Sequence, residues 1–91
     1  MNVIVYRATT DSFLIRYPSG AEELFVFDGK DWGRDFLNCR GLTYPTKEEI
    51  AAIETLSEAD ISNIHQVSLI LARQGQKETQ ISLRPLKTQK D

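Results

Sequence analysis

The first 27 residues alternate between apolar runs and turn residues at the short period of strands. Residues 3–7 are β-branched and aromatic, with apolar side chains on both faces as far as Tyr6. That pattern predicts a strand covered on both sides, near the middle of a sheet. Residues 8–11 are polar and turn-prone. Residues 12–17 place Phe13, Ile15 and Tyr17 on one face and Ser12, Leu14 and Arg16 on the other, a second strand in hairpin with the first. Pro18, Ser19 and Gly20 form a turn, because proline presets φ and glycine accepts a positive φ. Residues 24–27 make a third strand that stops at Asp28 and Gly29, completing a meander.

The period then lengthens. Trp32, Phe36 and Cys39 fall at i, i+4 and i+7, and Asp31 stands where an N-cap would, with Gly41 beyond the far end. This spacing predicts a short helix over 31–39, weakened at Gly33 by about 1 kcal/mol relative to alanine. A second helix is predicted over 47–56. Thr46 and Glu49 have the spacing of a capping box, Ile50, Ile53 and Leu56 supply an apolar stripe, and Pro45 sharpens the start.

Residues 57–73 admit two readings. One is a single helix capped by Ser57, with acids in its first turn, running to Arg73 and stopped by Gly75. The other ends the turn near Ile64 and makes 66–73 a strand. The apolar residues between Val67 and Ala72 spread almost all round a helical wheel, whereas Val67, Leu69 and Leu71 share one face of a strand. Reflection about Gly75 sets Leu69 opposite Ile81 and Val67 opposite Leu83, and this matching of apolar with apolar favours the hairpin. The expected order is therefore β-β-β-α-α-β-β: an α+β fold with an antiparallel sheet of about five strands and short helices on one face. Pro85 is expected to end the last strand, residues 1–86 to form one domain, and 87–91 a flexible tail.

Composition adds limits. A chain of 91 residues is one domain, and 41% hydrophobic with 26% charged residues is ordinary for a globular protein. The net charge of −2 argues against a dedicated duplex-binding domain, which needs an excess of Lys and Arg to displace counterions. The charge is unevenly laid out. Residues 47–60 hold five acids (Glu48, Glu49, Glu54, Glu58, Asp60) against one Lys, and residues 66–91 hold Arg73, Lys77, Arg84, Lys87 and Lys90 against Glu78 and Asp91. The N-terminal apolar run is too short for a signal segment, and no stretch approaches a membrane span. With the single cysteine Cys39, this makes the cytoplasm the expected compartment and a membrane an unexpected partner.

Little in the chain points to bond-making chemistry. Cys39 and His65, with Asp60 as a conceivable third member, are the material for a thiol hydrolase, but nothing around Cys39 resembles a nucleophile motif. Two Cys or His residues fall short of a structural zinc set. A calcium loop begun at Asp28 fails, since Lys30, Trp32 and Cys39 occupy ligand positions. The glycines match no phosphate-binding loop. No metal and no cofactor are expected.

Surfaces remain. Trp and Arg are enriched at binding hot spots, so Trp32, Arg34, Asp35 and Arg40 are the candidate protein-binding residues, supported by the acidic helix over 48–54. The competing reading packs Trp32 in the core. The favoured expectation is a non-enzymatic protein-interaction module: an adaptor, regulator or inhibitor that occludes a partner surface. Accessory proteins of phages and mobile elements share this size, an analogy of category only. A sheet edge also offers a route to a twofold homodimer. The alternative is weak nucleic-acid binding along a basic C-terminal edge of Arg73, Lys77, Arg84, Lys87 and Lys90, although no aromatic residues are interleaved there for base stacking. The same cations would also serve as a soluble edge that blocks aggregation.

Overall fold

Residues 1–36 and 45–83 are described by the structure, a computed structural model. The elements run β1 (Asn2–Tyr6), β2 (Ser12–Arg16), β3 (Glu22–Phe27), β4 (Trp32–Phe36), α1 (Lys47–Glu54), α2 (Glu58–Arg73) and β5 (Glu78–Ser82). The strands form one sheet in the order β4-β3-β2-β1-β5, and every neighbouring pair is antiparallel. The fold is α+β, a five-stranded antiparallel sheet with its helices on one face. The element order is β-β-β-β-α-α-β, so two of the expected elements change type.

The predicted meander is present, and its first tight turn is built as its residues suggest. Gly20 donates its N–H to the Tyr17 carbonyl at 2.8 Å and Tyr17 donates to Ala21 at 2.9 Å, with Gly20 at φ +97°. This is a three-residue hairpin loop that needs a left-handed residue at its end. Glu49 then ties α1 to the same turn. One carboxylate oxygen accepts from the Thr46 N–H (3.0 Å) and the Ser19 hydroxyl (2.7 Å), and the other accepts from the Ser19 N–H (2.9 Å). The Glu49 N–H donates in return to the Thr46 hydroxyl at 3.1 Å, which completes the predicted capping box.

The helix expected over 31–39 is a strand in its described part. Asp28 Oδ1 accepts from the N–H groups of Lys30 (2.9 Å) and Asp31 (2.8 Å), and Gly29 takes φ +97°. The chain therefore reverses, and β4 pairs with β3 through Phe27↔Trp32 and Phe25↔Arg34. Trp32 and Phe36 share a face at a spacing of four whether the period is 2 or 3.6, so that pair could not distinguish strand from helix. Asp31 caps no helix. Cys39 and Gly41 lie outside the described residues.

The hairpin expected over 66–73 is helix, and the single-helix reading is the correct one. Ser57 accepts from the Asp60 N–H at 3.1 Å, and Asp60 accepts from the Ser57 N–H at 3.0 Å, a second capping box. At the other end Gly75 (φ +93°) donates to Ala72 and Gln76 donates to Leu71. Those two bonds satisfy carbonyls that the last helical turn leaves open. Strand β5 pairs with β1 instead, through Val3↔Ile81 and Val5↔Thr79. The apolar spread that suggested a strand arises because Val67 and Ile70 point outward, at 49% and 54% exposure. Pro85 and the tail 87–91 lie outside the described residues.

The core forms where α2 crosses the sheet. Val3, Val5, Phe13, Ile15, Tyr17 and Phe25 from the strands meet Ile61 and Ile64 of α2. Each such side chain contributes roughly 1.5–3 kcal/mol by leaving water. Phe13 and Phe25 stack with centroids 4.7 Å apart, and Trp32 meets Phe13 edge-on at 5.3 Å. Strand β1 lies inside the sheet between β2 and β5. Its expected coverage on both sides is corrected: Val3 and Val5 are buried under the helix, while Ile4 and Tyr6 on the opposite face are half-buried.

Candidate interaction surface

Of the residues expected to contact a partner, Trp32 belongs to the core. It is 8% exposed, its Nε1 donates to the Ser62 hydroxyl at 3.2 Å, and its backbone N–H donates to Glu58 at 3.2 Å. Arg34, two residues along the same strand face, reaches back over the Phe25 ring (5.0 Å) and donates from Nε to Glu23 at 2.9 Å. Glu23 is 1% exposed and also accepts from the Tyr17 hydroxyl at 2.6 Å. Burial first, and then the Glu23 carboxylate, pushes the Tyr17 phenol well above the usual phenol range. Arg34 therefore neutralises a buried carboxylate. Asp35 is exposed on the opposite face, and Arg40 lies outside the described residues.

His65 sits in α2, stacked on Phe13 (5.8 Å) and edge-on to Trp32 (5.0 Å), with Nε2 2.6 Å from the Thr9 carbonyl oxygen. Its ring is packed as a structural link between helix and sheet. Asp60 serves the Ser57 cap. Cys39 lies outside the described residues, and among those described no group of three or more His, Cys, Asp or Glu side chains is disposed to hold a metal. Of the nucleic-acid candidates, Arg73 closes α2 and Lys77 precedes β5, both exposed; Arg84, Lys87 and Lys90 lie outside the described residues. Among the described residues no helix is long and apolar enough to cross a membrane.

The surface that the strand register does assemble is the sheet face opposite the helices, which no described helix crosses. Tyr6, Leu14, Leu24 and Asp35 lie in one row across β1, β2, β3 and β4. Ile4, Arg16 and Glu22 form the row beside it, and Val26 follows Leu24 along β3. Leu14 is 7% exposed between its apolar neighbours, and Val26 is 42% exposed. Arg16 lies over the Tyr6 ring at 4.8 Å and donates from Nε to Glu22 at 3.2 Å, and the Tyr6 hydroxyl donates to the same carboxylate. Burial and then Glu22 raise the Tyr6 phenol, and the Glu22 carboxylate raises the Arg16 guanidinium. Among the described strand residues this face carries one cation, Arg16, against the carboxylates of Glu22, Asp35 and Glu78, with Arg7 standing at its corner beside the Tyr6 ring. Sequence reasoning passed over it, although Leu14, between Ser12 and Arg16 on the polar side of β2, was its trace.

Comparison with protein-family models, with curated proteins and with solved structures finds no match to this chain.

Proposed function

We propose that this chain is a small non-enzymatic protein-interaction module that works by laying the helix-free face of its sheet on a partner protein. The observation that carries this reading is the apolar stripe of Ile4, Tyr6, Leu14, Leu24 and Val26. A solvated antiparallel face ordinarily alternates to polar residues at such positions, and a contiguous apolar patch with a polar rim marks a contact surface. The binding site is thus moved from Trp32 to the sheet, and of the earlier candidates among the described residues Asp35 remains at its border. The engagement of His65 with Thr9 supports a role without acid–base chemistry.

The rim decides the kind of partner. With three carboxylates to one cation among its described strand residues, and Arg7 only at one corner, the face suits an apolar ridge flanked by Lys or Arg better than it suits a second copy of itself, which would bring like charge together. A photoreactive residue at position 26, with mass spectrometry of the captured peptide, tests this. The expected result is one partner whose cross-linked peptide is apolar and Lys- or Arg-rich, lost on Leu24→Arg while far-UV dichroism is unchanged. Capture of a second copy, or retention of the partner by Leu24→Arg, would overturn the reading.

A further inference from the structure

A cavity opens at the corner of the sheet where β1 ends, and it shares Tyr6, Arg16 and Glu78 with the border of the interaction surface. It encloses about 460 Å³ and is lined by Tyr6, Arg7 and Ala8 at the end of β1, Arg16 of β2, Ala72 near the end of α2, and Lys77 and Glu78 at the start of β5. That volume is in the range of small-molecule sites. Three cations line it against one carboxylate. Arg16 is already paired with Glu22, but Arg7 and Lys77 have no ion-pair partner among the described residues. Arg7 is also the one described residue other than glycine with a positive φ, +52°. A left-handed conformation is uncommon for a side chain of this kind and persists where the surroundings fix it. Here it places the Arg7 guanidinium 6.0 Å from the Tyr6 ring, the ring that Arg16 also covers.

We propose that this corner binds a phosphoryl group, held by Arg7 and Lys77 with Arg16 behind them and the Tyr6 ring as a wall. Gathering three cations costs mutual repulsion, which an oxyanion of two charges relieves. Guanidinium groups match phosphate oxygens in pairs, while an ammonium adds a point charge. The space exceeds one phosphate, so the group is one end of a larger ligand: a phosphorylated small molecule or the backbone of a nucleic acid. This goes beyond the interaction module: the two share Tyr6, Arg16 and Glu78, but one test reads capture of a partner protein and the other binding of pyrophosphate, so either can fail alone.

The full chain is titrated with pyrophosphate by calorimetry at constant ionic strength, with chloride as the control, and separately with a single-stranded oligonucleotide between 50 and 200 mM salt. Arg7→Asn removes the cation with a residue that tolerates the left-handed region, so the fold is retained. Lys77→Gln is the second variant and Glu78→Gln the third. Expected are saturable binding of pyrophosphate, weakened at least about tenfold by Arg7→Asn and by Lys77→Gln and strengthened several-fold by Glu78→Gln. Oligonucleotide binding that falls steeply with salt and is competed by pyrophosphate would assign the phosphate to nucleic acid; pyrophosphate binding alone assigns it to a small molecule. Heats matched by chloride, or affinities unchanged in both charge-removing variants, overturn the site.

Discussion

Replacing Arg34 by methionine isolates what holds the β3–β4 half of the sheet. The substitution keeps an apolar stem over Phe25 and removes the only cation bonded to Glu23 through a described ion pair. Glu23 stays 1% exposed and retains the Tyr17 hydroxyl as donor. Breaking a buried ion pair from one side costs about 3–5 kcal/mol, because the remaining charge is left without compensation. The Arg34 side chain is 25% exposed, so water reaches part of the gap and the lower end applies. Loss of the cation over Phe25 adds about 0.5–1 kcal/mol. The expected total is about 3.5–4 kcal/mol. With a urea slope of roughly 1–3 kcal/mol per molar, the unfolding midpoint moves down by 1 M or more. Urea unfolding at pH 7, followed by dichroism and by Trp32 fluorescence, measures it. The double variant Glu23→Met with Arg34→Met removes both charges and should recover at least about half of the loss. A loss under about 1 kcal/mol in the single variant, or a double variant no more stable than the single, would refute the claim that an uncompensated buried charge is what Arg34 prevents.

Three further outcomes follow from the same geometry. Because burial raises the Tyr17 phenol above its unfolded value, its contribution to stability is complete below about pH 10 and falls as pH rises beyond that, by at most about 1.4 kcal/mol per pH unit. Tyr17→Phe should flatten that alkaline slope in pH-dependent urea unfolding, and an unchanged slope would mean the phenol is not the titrating group. Glu49→Ala removes acceptors for Thr46 and Ser19 together and should cost about 2–3 kcal/mol, against about 1 kcal/mol for Ser57→Ala, which loses only a helix cap; equal losses would deny Glu49 its tie to the turn. The buried Ser68 hydroxyl has no hydrogen-bond partner among the described residues, so Ser68→Ala should be neutral or stabilising by up to about 1 kcal/mol, and a clear loss of thermal stability would show a hidden bond.

The sheet carries much of its identity locally. Val3 and Val5, Phe13 and Ile15, and the Pro18–Gly20 turn fix the meander by alternation and turn chemistry alone, and both helix starts are written as hydroxyl–carboxylate pairs three residues apart. Alternation also contained the buried carboxylate: Glu23, Phe25 and Phe27 share a strand face, so a charge had to enter the core side of β3. Its neutralisation by Arg34 was illegible, because the segment that holds Arg34 had been assigned to a helix.

What the chain determined by itself was the fold class, the meander, and α1 with its capping box. Two decisions belonged to the tertiary structure. Trp32 and Phe36, four apart, suit a helix or a strand equally, and pairing with β3 across the Asp28 turn made the strand. The segment after Ile64 offered its apolar residues to either form, and the vacancy beside β1 was filled by β5, which left residues 66–73 as helix with Val67 and Ile70 facing outward. In both cases the local periodicity was degenerate, and only the hydrogen bonds of a distant strand could break the tie.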